Sequence, residues 1–241
     1  MNYSCVSDIG LLREKNQDSY LAIENNYGDF LALVADGIGG GRAGEVASSE
    51  VVKYFNEQFK QSGPFDTTKN AIDYLEYHLN KINKQVYEMS LSNDDYAGMG
   101  TTVTGILITN KANISFNCGD SRVYGFLGKK YFKLTSDHTL VNQMIEKGQI
   151  TYEESLNHPK RHYLVKAIGI FENIKCDIHK VKSMDTYLIC SDGLHGYVSD
   201  DEICDIVSDN KLTLEQKVID LKDLSLLKGG YDNVTIVLVE K

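Results

Sequence analysis

Strand-like segments in this chain follow one another in series instead of alternating with helices, and that ordering limits the fold more than any other feature. TTVTGILIT, NISFNCG, RVYGFLG and KYFKL run from residue 101 to 134 with only short turns between them. Closely spaced β segments of this kind predict an antiparallel meander. YLAIE (20–24) and DFLALVAD (29–36) form an earlier pair around Asn26, Tyr27 and Gly28, and NIKCDIHKV, DTYLICSD and NVTIVLVE come later. Helical periodicity is grouped elsewhere. Val51, Phe55 and Phe59 mark one face of a helix over about 43–60, which Gly63 and Pro64 end. Ile72, Leu75, Leu79, Ile82, Val86 and Met89 mark a second; its stripe lasts under three heptads, so it reads as a core-facing helix and not a coiled coil.

Residues 138–170 break the pattern, with a short helix, a turn at Gly148, a second short helix from Thr151, and the polar stretch NHPKRH. Ser199 with Glu202, and Thr213 with Gln216, form capping boxes that open two later helices. Without βαβ alternation the chain is α+β, with antiparallel sheets covered by helices. No linker rich in Pro, Gly or Ser divides it, so residues 1–241 are expected to form a single domain.

Composition removes several classes of function. The net charge of −9 argues against a general nucleic-acid binder, which needs clustered Lys and Arg. The apolar runs fall far short of the roughly 20 residues that a membrane span requires. The opening residues MNYSCVSDIGLLREK show no basic start followed by an apolar block, so a cytoplasmic protein without a signal peptide is expected. Cys5, Cys118, Cys176, Cys190 and Cys204 are odd in number and form no C-x-x-C, as expected of reduced thiols.

Four aspartates sit where a strand-like run meets a glycine or a turn: Asp36 in FLALVADGIGGG, Asp120 in NCGDSRVY, Asp192 in TYLICSDGL and Asp232 in GGYDNVTIVLV. A fifth, Asp18, follows Arg13 in REKNQD. A carboxylate beside a buried strand is costly unless something pairs with it. Any one of them could cap a turn. Four placed alike point to carboxylates converging on one or more hard cations. Arg13 suits bidentate capture of a phosphate beside such a site.

The loop GGGRAG (39–44) matches the G-x-G-x-x-G of dinucleotide-binding turns, but Asp36 would face the pyrophosphate and no second parallel strand ending in an acid follows. A phosphate-binding G-K-[ST] is absent. A dehalogenase-type nucleophile at Asp36 would want a second Asp where Ile38 stands. The glycines have a better use: Gly37 lets the backbone bend so that its carbonyl can face a metal, and Gly39 to Gly41 let the chain pass close to the site.

The ordered set REKNQD, VADGIGGGRAGEVAS, GMGTT, NCGDSRVY, LTSDHTLV, ICSDGL and GGYDNVTIVLV resembles the metal-dependent protein phosphatases of the 2C type, above all their short bacterial members. The match runs from about residue 3 to 239. The resemblance implies a four-layer α-β-β-α sandwich of two packed antiparallel sheets flanked by antiparallel helix pairs, with a mobile flap at about 140–165. It implies hydrolysis of phosphoserine and phosphothreonine by a metal-activated hydroxide, using two to three Mn²⁺ or Mg²⁺ ions, in a monomer that opposes a serine/threonine kinase. Asp36 would bridge two metals, with the Gly37 carbonyl completing one. Asp192 and Asp232 would hold the other, Asp120 with Asp192 a third, and Asp18 would act through water. Arg13 matches the phosphate-binding arginine.

Two departures stand out. Ile38 replaces the histidine proposed as general acid in animal members, and Gln17 stands where an acid is frequent. Candidates for the missing acid are His158 and His162 on the flap, with Lys160 and Arg161 steering a phosphopeptide. His138 is expected to cap the helix after Asp137. A pseudophosphatase used as a binding module and a phosphomonoesterase for small molecules are the competing readings.

Overall fold

The computed structural model describes residues 1–38 and 43–241. The loop residues Gly39, Gly40, Gly41 and Arg42, and with them the expected close passage of Gly39 to Gly41, lie outside the described residues.

Strands β1 (Asn2–Asp8), β2 (Asp18–Glu24) and β3 (Phe30–Ile38) are followed by helices α1 (Gly44–Lys60) and α2 (Thr68–Ser92). Then come β4 (Gly100–Thr101), β5 (Val103–Ile108), β6 (Asn113–Cys118), β7 (Arg122–Leu127) and β8 (Lys130–Lys133). The flap holds α3 (Leu140–Glu146) and α4 (Tyr152–Leu156). Next are β9 (Asp177–Val181), β10 (Thr186–Cys190), α5 (Asp192–His195), α6 (Asp200–Val207), α7 (Leu214–Leu227) and β11 (Val234–Glu240).

The strands form two antiparallel sheets. One runs β1-β11-β10-β7-β8; the other runs β2-β3-β5-β6-β9, with β4 paired to the end of β3. Strand β3 shows why its sequence is apolar throughout. Phe30, Ala32 and Val34 point into the layer between the sheets with Val123, Ile189 and Val237. Leu31, Leu33 and Ala35 point the other way, against Val51, Phe55 and Phe59 of α1 and Leu75, Leu79 and Ile82 of α2. A strand buried on both faces needs no polar alternation. Strand β11 repeats the pattern: Val237 and Val239 face the other sheet, while Ile236 and Leu238 pack under α6 and α7. The result is four layers, α-β-β-α, as the resemblance implied.

Two expectations are corrected. The four strands from residue 101 do not form one meander. β5 and β6 pair in one sheet and β7 and β8 in the other, so the chain changes sheet between Cys118 and Arg122, where Asp120 lies. Strand β1 was also not foreseen; its partner β11 lies at the far end of the sequence. The capping boxes at Ser199/Glu202 and Thr213/Gln216 are present, and Thr151 with Glu154 forms a third at the start of α4. No helix among the described residues is long and apolar enough to cross a membrane.

Candidate metal centre

Asp36 lies within β3, directly opposite Asp18 on β2. Its backbone is pinned on both sides by the two threonines that follow β4's glycine. The Asp36 carbonyl accepts from Thr101 Oγ1 (2.9 Å) and Thr102 N (2.8 Å), and Asp36 N donates to Thr102 Oγ1 (3.0 Å). Thr102 Oγ1 also shares a 2.8 Å hydrogen bond with Ser121 Oγ, next to Asp120. One buried hydroxyl thus couples two of the carboxylate-bearing segments.

The glycine after Asp36 is needed for contact and not for a bend. Strand β3 continues through Gly37, and a methyl there would stand 2.3 Å from the Gly44 carbonyl at the start of α1. Gly193, after Asp192, is constrained the same way: a methyl would lie 1.9 Å from the Asn233 carbonyl. In both Asp-Gly pairs the glycine lets a neighbouring backbone close in behind the carboxylate.

The other aspartates arrive by different routes. Asp120 lies in the sheet-to-sheet crossing, where its carbonyl accepts from His195 Nε2 at 3.0 Å. Burial lowers the His195 pKa to about 3, so the ring is neutral and can donate from one nitrogen only. Asp192 is not at a strand end; it opens the short helix α5. Asp232 precedes β11 and accepts from Arg13 Nη2 at 2.7 Å, a hydrogen bond that raises the Arg13 pKa. Asn233 fixes that pairing. Its Nδ2 donates to the carbonyls of Ile9 (2.8 Å) and Lys15 (2.9 Å), and its Oδ1 accepts from Gln17 N (2.9 Å), holding the loop that carries Arg13.

Ser191 Oγ donates to Asp18 Oδ2 at 2.7 Å and accepts from Thr235 N at 3.0 Å. Asp18 Oδ1 is buried with no hydrogen-bond partner among the described residues. The Gln17 departure also has a local reason: Gln17 Nε2 donates to Glu45 Oε2 at 3.1 Å, where an acid would meet a like charge.

Mutual repulsion dominates the electrostatics after burial itself. Burial, then neighbouring carboxylates, holds Asp36 and Asp192 well above the ordinary carboxylate range. Burial raises Asp18 to about 6 against its serine hydrogen bond. Burial and the Asp137 charge raise Asp120 to about 7. Among the described residues no three acid, His or Cys side chains stand as a preassembled cage around one point. The donor set nonetheless fits a hard divalent ion, being all oxygen. Asp18 and Asp120 are buried, whereas Asp36, Asp192 and Asp232 are partly open to solvent. The orphaned Asp18 oxygen and the unbalanced charge are what a bound cation would satisfy.

A cleft of about 460 Å³ leads away from Asp120 and Asp192 between the flap and the sheet edge. Arg161 and His162 line it; His158 and Lys160 do not. Burial and the Arg161 charge lower the His162 pKa against the opposing pull of Asp232, whereas His158 Nδ1 accepts from Lys160 N within the flap itself. His138 does not cap α3, whose cap is Thr139. Its Nδ1 accepts from Gly119 N (3.1 Å) and its Nε2 lies 3.2 Å from Asp177, so it braces the turn that presents Asp120.

Sequence reasoning assigned no role to Thr101, Thr102, Ser121, Ser191, His195 or Asn233. Except for His195, each lies within two residues of a site aspartate or pairs with its strand. For Ser121, Ser191 and Asn233, adjacency to a motif acid was the available signal.

The comparisons with known proteins agree with this geometry. The family model for protein phosphatase 2C matches residues 13–224. A putative protein phosphatase 2C-type of Streptococcus pyogenes serotype M6 is 36% identical over 99% of this chain and 97% of its own length. Protein phosphatase PhpP of Streptococcus pneumoniae is 34% identical over the same shares. Among solved structures, the serine/threonine phosphatase Stp1 from Staphylococcus aureus superposes with a TM-score of 0.94 at 33% identity, covering 99% of this chain and 94% of that one. The Mycobacterium tuberculosis serine/threonine phosphatase PstP/Ppp gives 0.87 at 32% identity, covering 99% and 97%. With two antiparallel sheets bringing five aspartates to one edge, and a family match over most of its length, this chain belongs to the protein phosphatase 2C family.

Proposed function

We propose that this protein is a metal-dependent serine/threonine phosphatase that removes phosphate from phosphoserine and phosphothreonine in proteins, opposing a serine/threonine kinase. The observation that carries this reading is the carboxylate cluster built from both sheets, with an arginine paired at its rim. Asp36, Asp192 and Asp232, with the Gly37 carbonyl, would hold two Mn²⁺ or Mg²⁺ ions, and Asp120 with Asp192 a third. Such ions supply Lewis acidity and a water acidic enough to be nucleophilic at neutral pH.

The chain's own residues do the rest. Arg13 uses one N–H on Asp232 and keeps further donors for the non-bridging phosphate oxygens. Asp18 sets the charge behind Asp36 and is itself oriented by Ser191. Arg161 lines the cleft with a positive charge suited to an incoming phosphopeptide. His162, on the same wall, is the flap histidine that would protonate the departing serine oxygen, a poor leaving group without an acid.

The test is turnover of p-nitrophenyl phosphate with Mn²⁺ by Asp36→Asn and Asp192→Asn. Both variants should lose activity by about a hundredfold or more; near-normal turnover in either removes the assignment. A phosphothreonine peptide should outcompete sugar phosphates as substrate. The reverse preference would favour a phosphomonoesterase for small molecules.

A further inference from the structure

Two of the five cysteines face each other. The register between β6 and β9 pairs Asn117 with Asp177, and continued by one residue it sets Cys118 opposite Cys176. Directly opposed residues on antiparallel strands have Cα atoms about 4.5–5.5 Å apart. That separation lies within the range a disulfide spans without moving the backbone. Both side chains meet the same apolar cluster: Cys118 belongs to the core under α1 and α2, and Cys176 packs against it. Cys118 is fully buried in the core under α1 and α2, whereas Cys176 is partly exposed. No other cysteine is so placed. Cys5 stands opposite Val237, Cys190 opposite Ile236 and Arg122, and Cys204 Sγ contacts the Lys129 carbonyl.

We propose that Cys118 and Cys176 are an oxidant-sensitive pair that closes to a reversible cross-strand disulfide when the protein meets hydrogen peroxide. The accessible Cys176 attacks as its thiolate. An S–O bond forms, the O–O bond breaks, and the departing hydroxide takes a proton to become water, leaving a sulfenic acid. The Cys118 thiol then attacks that sulfur. The S–S bond forms, the S–O bond breaks, and a second water leaves with the thiol proton. The two thiols lose two electrons, and the peroxide that gains them is reduced to water.

The link would close at a particular place. Residues 119–175, which it would enclose, carry Asp120, the crossing into the second sheet and the whole flap. A staple at the two roots of that segment restricts it without touching the acids themselves. A closed loop of that length also constrains the unfolded chain more than a short one does.

The test is thiol mapping of the full-length protein. After peroxide treatment and alkylation in denaturant, three of the five cysteines should remain alkylatable and one peptide should join Cys118 to Cys176. Tm should rise by several degrees, and dithiothreitol should reverse both changes. Cys176→Ser should abolish the link and spare Cys118. Cys118→Ser should stop the reaction at a sulfenic acid on Cys176 that dimedone traps. Five alkylatable thiols after peroxide, or a link between any other pair, would overturn the proposal. The wild-type map decides even if a variant folds poorly.

Discussion

Asp18 and Asp36 stand directly opposite each other on β2 and β3, two carboxylates in register at the heart of the site. Both are raised in pKa by burial, and each adds to the other's charge problem or shares its proton. Replacing Asp18 by Asn keeps an acceptor for Ser191 and turns a carboxylate pair into an amide–carboxylate contact. The metal-free variant should gain about 1–3 kcal/mol at pH 8, from a shift of about two pKa units at 1.36 kcal/mol each. Its phosphatase activity should fall by about tenfold or more. Urea unfolding and p-nitrophenyl phosphate turnover read the two effects, and unchanged stability would mean that burying the Asp18 carboxylate costs nothing.

The Asp120 carboxyl is raised from its ordinary 3.8 to about 7. Between those values the folded protein holds a proton that the unfolded chain has released. The contribution to stability is full below about pH 4 and is lost as pH rises through about 7. Asp120→Asn should therefore be more stable than the metal-free parent at pH 8, with the difference vanishing toward pH 4. Saturating Mn²⁺ should restore the parent at pH 8, because a ligand that binds only the folded state stabilises it. Thermal melts of both proteins across that range are the measurement.

Three hydrogen bonds to the Asn233 side chain hold the Arg13 loop. Asn233→Ala should raise KM for a phosphopeptide by about tenfold while changing kcat less, since each lost bond is worth about 1 kcal/mol. Arg13→Ala should reproduce the KM effect without the accompanying loss of stability. A fall in kcat alone would place Asn233 with the ligands instead.

Gly193→Ala drives a methyl to 1.9 Å from the Asn233 carbonyl. The α5 turn or the Asp232 loop must shift, and a loss of about 2–3 kcal/mol is expected together with weaker Mn²⁺ binding. Gly63 is the control, because a methyl there meets nothing within 4 Å. Gly63→Ala should change stability by less than about 0.5 kcal/mol.

What the sequence made legible was local. The capping boxes, the apolar faces of α1 and α2 and the Gly148 turn are signals written within a few residues. The Asp-Gly pairs were legible as a set, yet the reason for each glycine was not, because Gly44 and Asn233 approach from elsewhere in the chain. The assignment of β7 to the second sheet was equally hidden: a turn of Gly119, Asp120 and Ser121 looks the same whether it folds back or crosses over. The sequence neighbours of His138 suggest a helix cap. Its partners, Gly119 and Asp177, are brought to it only by the folded sheets.

Strand β11 lies between β1 and β10, so the first strand of the chain waits for residues 234–240 before it has a partner. A nascent chain that has not reached residue 232 therefore lacks both Asp232 and the strand that joins β1 to β10, while β2 and β3, with Asp18 and Asp36, belong to the other sheet. Contacts of such long sequence separation form late and slowly. Asp232, and with it the hydrogen bond that fixes Arg13, is thereby the last part of the carboxylate cluster to arrive.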